Sequence, residues 1–251
     1  MKTVGLLGEN INYSKSPELH NTYYKDNDIN LCYKLFDVKI KDLSNFINKI
    51  NDNVIGFNVT IPYKESVKKY LCKLEYPANK IGAVNTVINN QGKLIGCNTD
   101  YFGFIKSLEV NNINVKNKNI LILGSGGAAK AVYYALNDLM IKQIDIACRN
   151  IKKCKIDFKD VDNVYDINDI SDITKYYMVI NATPLGNIKN NVIPIKIEKF
   201  KKEIIFYDLN YIPKKSSFLE KGEELGLKII NGEEMLYYQA LKAIELWKEF
   251  I

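Results

Sequence analysis

The stretch Asn119-Ile-Leu-Ile-Leu-Gly-Ser-Gly-Gly-Ala-Ala-Lys-Ala-Val-Tyr-Tyr-Ala-Leu136 changes its period in the middle. Ile120 to Leu123 is an unbroken apolar run of the kind that forms a buried strand, and a helix is predicted from Gly127 to Leu139. Between them stands Gly124-x-Gly126-x-x-Ala129. The first glycine permits a tight turn, the second lets the backbone approach a pyrophosphate, and the small third residue lets helix and strand pack closely. An anion would then rest on the helix N-terminus, where unpaired N–H groups and the macrodipole favour negative charge. A tight strand-to-helix turn without a ligand is the plain alternative. A P-loop is excluded, because no Gly-Lys-Ser/Thr follows.

The next strand selects among dinucleotides. Ile144-Asp-Ile-Ala-Cys-Arg-Asn150 ends in Arg149, with Lys152 and Lys153 close behind. An NAD site would usually carry Asp or Glu there for the ribose 2'-hydroxyl. A guanidinium suits a 2'-phosphate and can stack on adenine, so NADP is expected. The competing description is a surface arginine beside lysines on a solvated helix start.

Outward from this unit, apolar strand-like runs alternate with amphipathic segments, the signature of an α/β protein. Strands are predicted at Thr3 to Gly8, Leu31 to Val38, Val54 to Thr60, Val84 to Asn89, Lys93 to Asn98, Tyr177 to Asn181 and Ile204 to Leu209. Helical patterns cover Pro17 to Asp28, Lys41 to Ile50, Tyr63 to Leu71 and Gly232 to Phe250. A polar, Asn-rich stretch from Glu109 to Asn119 marks the best boundary between two halves.

Composition excludes several classes. The 251 residues are 47% apolar and 25% charged, ordinary for a soluble globular protein. No apolar run approaches the roughly 18 residues of a membrane span, and the N-terminus does not read as a signal peptide, so a cytoplasmic protein is expected. Five cysteines form no CxxC pair, which supports neither a disulfide framework nor a metal site. The Asn-x-Ser/Thr triplets at Asn12, Asn58 and Asn181 therefore need an explanation other than glycosylation. The net charge of +6 comes from dispersed lysines, so neither a nucleic-acid nor a membrane partner is expected, although small anionic ligands are favoured.

The first half carries polar islands at the ends of its strand-like runs, where open α/β sheets place ligand-binding groups. Ser14 and Ser16 precede Pro17, and their hydroxyls suit a carboxylate. Simple capping, with Ser16 as N-cap and Pro17 at the first helical position, is the other reading. Asn58, Thr60 and Lys64 follow, then Asn85, then Asn98-Thr-Asp100. Each alone is turn chemistry, but together they suit a substrate with several hydroxyls. The single histidine, His20, reads as a packing or hydrogen-bonding residue rather than a general base.

Taken in order, Ser14-Lys-Ser16-Pro17 with His20-Asn21, Asn58-Val-Thr60-x-Pro62-x-Lys64, Gly82-Ala-Val-Asn85-Thr, Asn98-Thr-Asp100, Gly124-x-Gly126-Gly-Ala, Asn181-Ala-Thr-Pro-Leu-Gly186 and Met235-Leu-x-x-Gln239 resemble the shikimate dehydrogenase family across nearly the whole chain. The resemblance implies an N-terminal α/β substrate domain, residues 1–101 completed by a C-terminal helix at 233–251. It implies a Rossmann-type NADP-binding domain at 102–232, with the active-site cleft between the two. The implied activity is reversible reduction of 3-dehydroshikimate to shikimate with NADPH, in aromatic amino-acid biosynthesis, by a monomer or homodimer. Ser14, Ser16 and Tyr211 would hold the substrate carboxylate, and Thr60, Asn85, Asp100 and Gln239 the ring hydroxyls. Gly124, Gly126, Gly127 and Ala128 would cradle the pyrophosphate, Arg149 and Lys153 the 2'-phosphate, and Thr183, Leu209 and Gly232 the ribose and nicotinamide. Lys64 becomes the candidate general acid or base, oriented by Asp100, since an ammonium both donates to a developing alkoxide and stabilises its charge.

The chain departs from the family pattern at Cys148 and Asn150, which flank Arg149 in place of two polar residues, at Asn187 in place of methionine, and at Tyr76 in place of an acidic residue. Two rivals remain at this point. One is a quinate/shikimate dehydrogenase using NAD, and the other a non-catalytic NADP-binding regulator.

Overall fold

The computed structural model describes all residues 1–251. It divides into two units: residues 1–103 with 237–251, and residues 104–236. The first contains β1 (Lys2–Gly8), α1 (Ser16–Asp26), β2 (Leu31–Asp37), α2 (Leu43–Asn48), β3 (Gly56–Val59), β4 (Lys73–Leu74), α3 (Ala78–Ile81), β5 (Thr86–Asn90), β6 (Lys93–Cys97) and the start of α4 (Thr99–Val110). The second contains β7 (Asn119–Leu123), α5 (Gly127–Asp138), β8 (Gln143–Cys148), α6 (Ile151–Asp157), β9 (Asn163–Asp166), β10 (Met178–Asn181), β11 (Ile205–Asp208), α7 (Ser217–Glu224) and β12 (Lys228–Ile230). The last helix, α8 (Glu233–Lys248), begins in the second unit and ends in the first.

Six strands form the first sheet in the order β2-β1-β3-β5-β6-β4. Its β2, β1 and β3 run parallel, whereas β5 opposes both β3 and β6. One core packs Val4, Leu6, Tyr24, Tyr33 and Ile88 against Ala243, Ile244 and Trp247 of α8. Trp247 is fully buried, and its indole N–H donates to the Val87 carbonyl at 3.0 Å. A side chain at Gly56 would fall on that indole, so the glycine lets α8 lie close to β3. The opposite core gathers Leu7, Leu43, Ile47, Phe57, Tyr63 and Val67.

The second sheet, β12-β11-β10-β7-β8-β9, is parallel throughout. Counted from β7 as first strand, this is the 3-2-1-4-5-6 order of a Rossmann fold, whose ligand crevice opens where the order reverses, between β7 and β10. The apolar runs of β7 and β10 are completely buried, as strands covered on both faces must be. Asp145 on β8 is the exception. It accepts from Lys175 Nζ and Tyr176 Oη at 2.7 Å each, and from Gln143 and Asn163 side chains. Burial pushes its carboxyl up, but those hydrogen bonds outweigh it and hold the group below the usual carboxylate range.

Several local expectations change. The helix expected over Tyr63 to Leu71 is only a 3-10 stretch at Ser66–Tyr70, because the Lys64 carbonyl that an α-helix would offer to Lys68 accepts instead from the Val84 N–H at 2.7 Å. The pattern at Lys41 to Ile50 splits into a 3-10 turn and α2. Ser16 is not an N-cap. Lys15 occupies that position without a side-chain bond, Ser16 lies in the first turn, and Ser14 Oγ accepts from the Ser16 N–H at 3.2 Å. No helix is long and apolar enough to cross a membrane.

His20 packs in the first core as expected, stacked on Tyr33 with centroids 4.0 Å apart and its Nδ1 3.1 Å from Tyr24 Oη. Burial drives its pKa from 6.5 down to about 3. The unfolded chain therefore binds a proton below pH 6.5 that the folded chain refuses until about pH 3, so stability is complete above this window and lost as pH falls through it. Because the chain has one histidine, the histidine part of the slope belongs to His20 alone. Urea unfolding should show the wild type losing about 1 kcal/mol more than His20→Gln between pH 6 and pH 5.

Candidate active site

In the first unit the polar islands converge on one carboxylate. Asn98 follows β6 and caps α4, its Oδ1 accepting from the Tyr101 N–H at 3.3 Å. That cap places Asp100 in the first helical turn, where the dipole favours a negative charge. Lys64 follows β3 in a turn fixed by the Val84 N–H, which donates to the Lys64 carbonyl at 2.7 Å. Lys64 Nζ then donates to Asp100 Oδ2 at 2.5 Å, with the two side chains 17% and 10% exposed.

The other Asp100 oxygen is held from inside. Asn85, between Val84 and β5, donates from Nδ2 to Asp100 Oδ1 at 2.8 Å. The same nitrogen lies 3.4 Å from Gln239 Oε1 on α8. These contacts bring Lys64, Asp100, Asn85 and Gln239 together at the ends of β3 and β6, the start of β5 and the last helix. Thr60 and the serine pair stand at neighbouring strand ends. Thr60 N–H donates to the Leu7 carbonyl at 2.9 Å, and Ser14 Oγ lies 3.2 Å from Ser16 Oγ in the loop that follows β1. Tyr211 belongs to the second unit, half-buried in the loop after β11.

The second unit lines up its candidates along the C-terminal edge of its parallel sheet. Gly124 has φ +102°, a conformation open to glycine, and faces the Ala182 carbonyl and Thr183 across the gap between β7 and β10. Gly126 is the N-cap of α5 in extended conformation, with no side-chain cap. The first helical bond runs from the Lys130 N–H to the Gly126 carbonyl at 3.0 Å, so the amides of Gly127, Ala128 and Ala129 have no helical acceptor. A side chain added at Gly126 would meet nothing within 4 Å. Open space over free amides at a helix N-terminus fits a pyrophosphate.

Thr183, Leu209 and Gly232 cluster beside that opening. Asn181 Oδ1 accepts from the Thr183 N–H and hydroxyl at 3.0 and 2.7 Å, and Asn210 Nδ2 donates to the Thr183 carbonyl at 3.2 Å. The Leu209 N–H donates to the Asn181 carbonyl at 2.9 Å, and Gly232 lies so close to the Leu209 carbonyl that a side chain would collide with it. Arg149 and Lys153 are exposed after β8. Asn150 caps α6, accepting from the Lys153 N–H at 3.0 Å, so it has a structural use of its own beside Arg149.

A hub that sequence reading passed over holds this edge. Asp208 Oδ1 accepts from Asn181, from the Asn210 backbone and from the Asn210 side chain, while Oδ2 accepts from Ser216 Oγ at 2.5 Å. Burial keeps its carboxyl above the ordinary range despite these bonds. Asn58 and Asn181, which head two of the three glycosylation-like triplets, are buried and bonded internally, which explains both. No group of three or more His, Cys, Asp or Glu side chains is placed to hold a metal ion.

Comparison with known proteins identifies the family. Residues 6–87 match the family model for the shikimate dehydrogenase substrate binding domain. The shikimate dehydrogenase (NADP(+)) of Clostridium botulinum strain Hall is 50% identical over 250 residues, which cover 98% of this chain and 96% of the relative. A crystal structure of a shikimate dehydrogenase in complex with NADP+ superposes with a TM-score of 0.92 at 35% identity, covering 99% of this chain and 90% of the other. The enzyme from Thermus thermophilus, in complex with NADP(H) and shikimate, gives 0.90 at 28% identity over 99% and 94%. With its buried lysine–carboxylate pair, its open glycine turn and half its sequence shared with such a relative end to end, the chain belongs to the shikimate dehydrogenase family.

Proposed function

We infer that this protein is an NADP-dependent shikimate dehydrogenase that reversibly reduces 3-dehydroshikimate to shikimate. The observation that carries the reading is the Lys64–Asp100 pair, sunk among donors in a chain that matches the family over its whole length. Residues 1–101 with 233–251 are assigned to substrate and residues 102–232 to NADP. The match of residues 6–87 to a substrate-binding domain and the Rossmann strand order support that division.

Reduction of a ring ketone needs a hydride at carbon and a proton at oxygen. Bound NADPH supplies the hydride. Lys64 donates the proton from Nζ as negative charge gathers on the carbonyl oxygen, and in the reverse direction takes it back from the hydroxyl. Asp100 orients that ammonium through Oδ2 and takes a substrate hydroxyl as a further donor, while Thr60, Asn85 and Gln239 address the remaining hydroxyls. Ser14 and Ser16, already within 3.2 Å of each other, present paired hydroxyls to the substrate carboxylate, joined by Tyr211.

For the cofactor, Gly124, Gly126, Gly127 and Ala128 offer backbone to the pyrophosphate. Arg149 and Lys153 offer positive charge to the 2'-phosphate, and Thr183, Leu209 and Gly232 border the ribose and nicotinamide. Exposed Arg149, with no acid in its place, favours NADP over NAD and so disfavours the quinate reading. The retained Lys64–Asp100 pair disfavours a non-catalytic regulator. The five free cysteines suit a reducing cytoplasm, where the enzyme works as a monomer or homodimer.

Replacing Lys64 with alanine should lower kcat by about two orders of magnitude or more with a smaller change in KM. An unchanged kcat contradicts the assignment. At the glycine turn, Gly126→Ala should leave the unfolding free energy within about 0.5 kcal/mol of wild type, since its φ of −82° suits any residue and the added methyl meets nothing. Calorimetric titration should nonetheless show NADP binding weakened about tenfold or more. Equal NADP affinity in this variant contradicts the placement of the pyrophosphate.

A further inference from the structure

Behind Asn85 runs a buried file of polar groups, none of them among the residues assigned to substrate or cofactor, that reaches the site only through Asn85 and Gln239. It begins at Tyr33 on β2, whose hydroxyl donates to Asn58 Oδ1 at 2.7 Å. With its oxygen so engaged, Asn58 turns its amide nitrogen to Thr86 Oγ1 at 2.9 Å and to the Asn85 carbonyl at 3.2 Å. An amide nitrogen only donates, so Thr86 Oγ1 accepts there and its own proton is free for Asn85 Oδ1, 3.0 Å away. The Thr99 backbone N–H, which cannot reverse, donates to the same Asn85 oxygen at 2.6 Å. Asn85 is left with one outcome: its nitrogen faces Asp100 Oδ1 at 2.8 Å and Thr99 Oγ1 at 2.9 Å. Thr99 Oγ1 in turn lies 3.0 Å from Thr86 Oγ1 and closes a ring.

Direction is what this file transmits. Every member is buried, with Thr86 and Thr99 fully so, and water does not compete for these bonds. A buried carboxylate with one oxygen unsatisfied turns toward another donor, and a shift of an ångström at a reacting group can cost about a hundredfold in rate. We propose that Thr86 and Asn58 are positioning residues for the reaction: together with Tyr33 they lock the Asn85 amide so that its N–H holds Asp100 Oδ1, which leaves Oδ2 aimed at Lys64. This inference rests on the Lys64–Asp100 reading given above.

Thr86→Val keeps the shape and removes the hydroxyl, whereas Thr86→Ser keeps the hydroxyl. In shikimate oxidation with NADP, Thr86→Val should lower kcat about tenfold with KM within about twofold, and Thr86→Ser should return kcat to within about threefold of wild type. The double variant Thr86→Val with Asn58→Leu should lose no more than the worse single one, because both cut one chain. A merely structural role predicts otherwise. Thr86→Val would then lower the melting temperature with kcat unchanged, or Thr86→Ser would be as impaired as Thr86→Val, and either result overturns the proposal.

Should Thr86→Val not fold, Tyr33→Phe carries the test, since it retains the ring stacked on His20 and removes only the leading donor. A fall in kcat of about threefold or more supports the file, and an unchanged kcat overturns it. Lys64→Ala and Asp100→Asn are measured in parallel. If those two keep wild-type kcat, the reading of the site itself fails. If they lose it while the Thr86 and Tyr33 variants do not, only the positioning role fails.

Discussion

A carboxylate withdrawn from water must find donors for both oxygens, and Asp100 sets that requirement for the first unit. The lysine that answers one oxygen and the amide that answers the other come from different strand ends, and a third element, α8, brings Gln239 against the same amide. With side chains 17% and 10% exposed, the pair interacts across a medium less polarisable than bulk water, and both partners have given up solvent to make it. Removing either partner leaves the other poorly solvated. An ammonium fixed by a buried anion is held at one place, which is what the proposed proton transfer requires.

In the second unit the proposed pyrophosphate site is made of backbone rather than side chains. Its parallel strands all end at one edge, and the order reverses between β7 and β10, leaving a gap that Gly124 and Thr183 border. Free amides at the start of α5 and the empty space over Gly126 supply polarity without a charged residue. Asp208 keeps the edge in shape by tying Asn181, Asn210 and Ser216 together. A carboxylate so enclosed positions loops, whereas Asp100 is paired with a lysine.

Much of this was legible in the sequence. The runs that became β1, β7, β8, β10 and β11 were readable because buried parallel strands leave a plain apolar signal, and the Gly124 turn because only a glycine accepts its backbone. Lys64, Asn85 and Asp100 stood out because strand ends carrying Asn, Thr and Asp are visible as islands. What stayed hidden depends on tertiary pairing. Asp145 and Asp208 look like breaks in their strands until their donors, up to 31 residues away in sequence, are seen around them. Short α3, α6 and α7 carry too few turns for a helical period to register. Ser16 satisfied every local rule for an N-cap, and Ser14 took that neighbourhood instead because its hydroxyl accepts the Ser16 amide. The direction of the Tyr33–Asn58–Thr86 file is beyond any local pattern, since it joins β2, β3 and β5.

The proposed function asks a lysine–carboxylate pair to serve a hydroxylated ring acid, and a glycine turn and an arginine to serve NADP. The most direct test is the initial rate of nicotinamide reduction, followed by its absorbance, with shikimate or quinate as substrate and NADP or NAD as acceptor. Shikimate with NADP should give a kcat/KM about tenfold or more above each of the other three combinations. No shikimate-dependent reduction of NADP, or a preference for quinate with NAD, would contradict it.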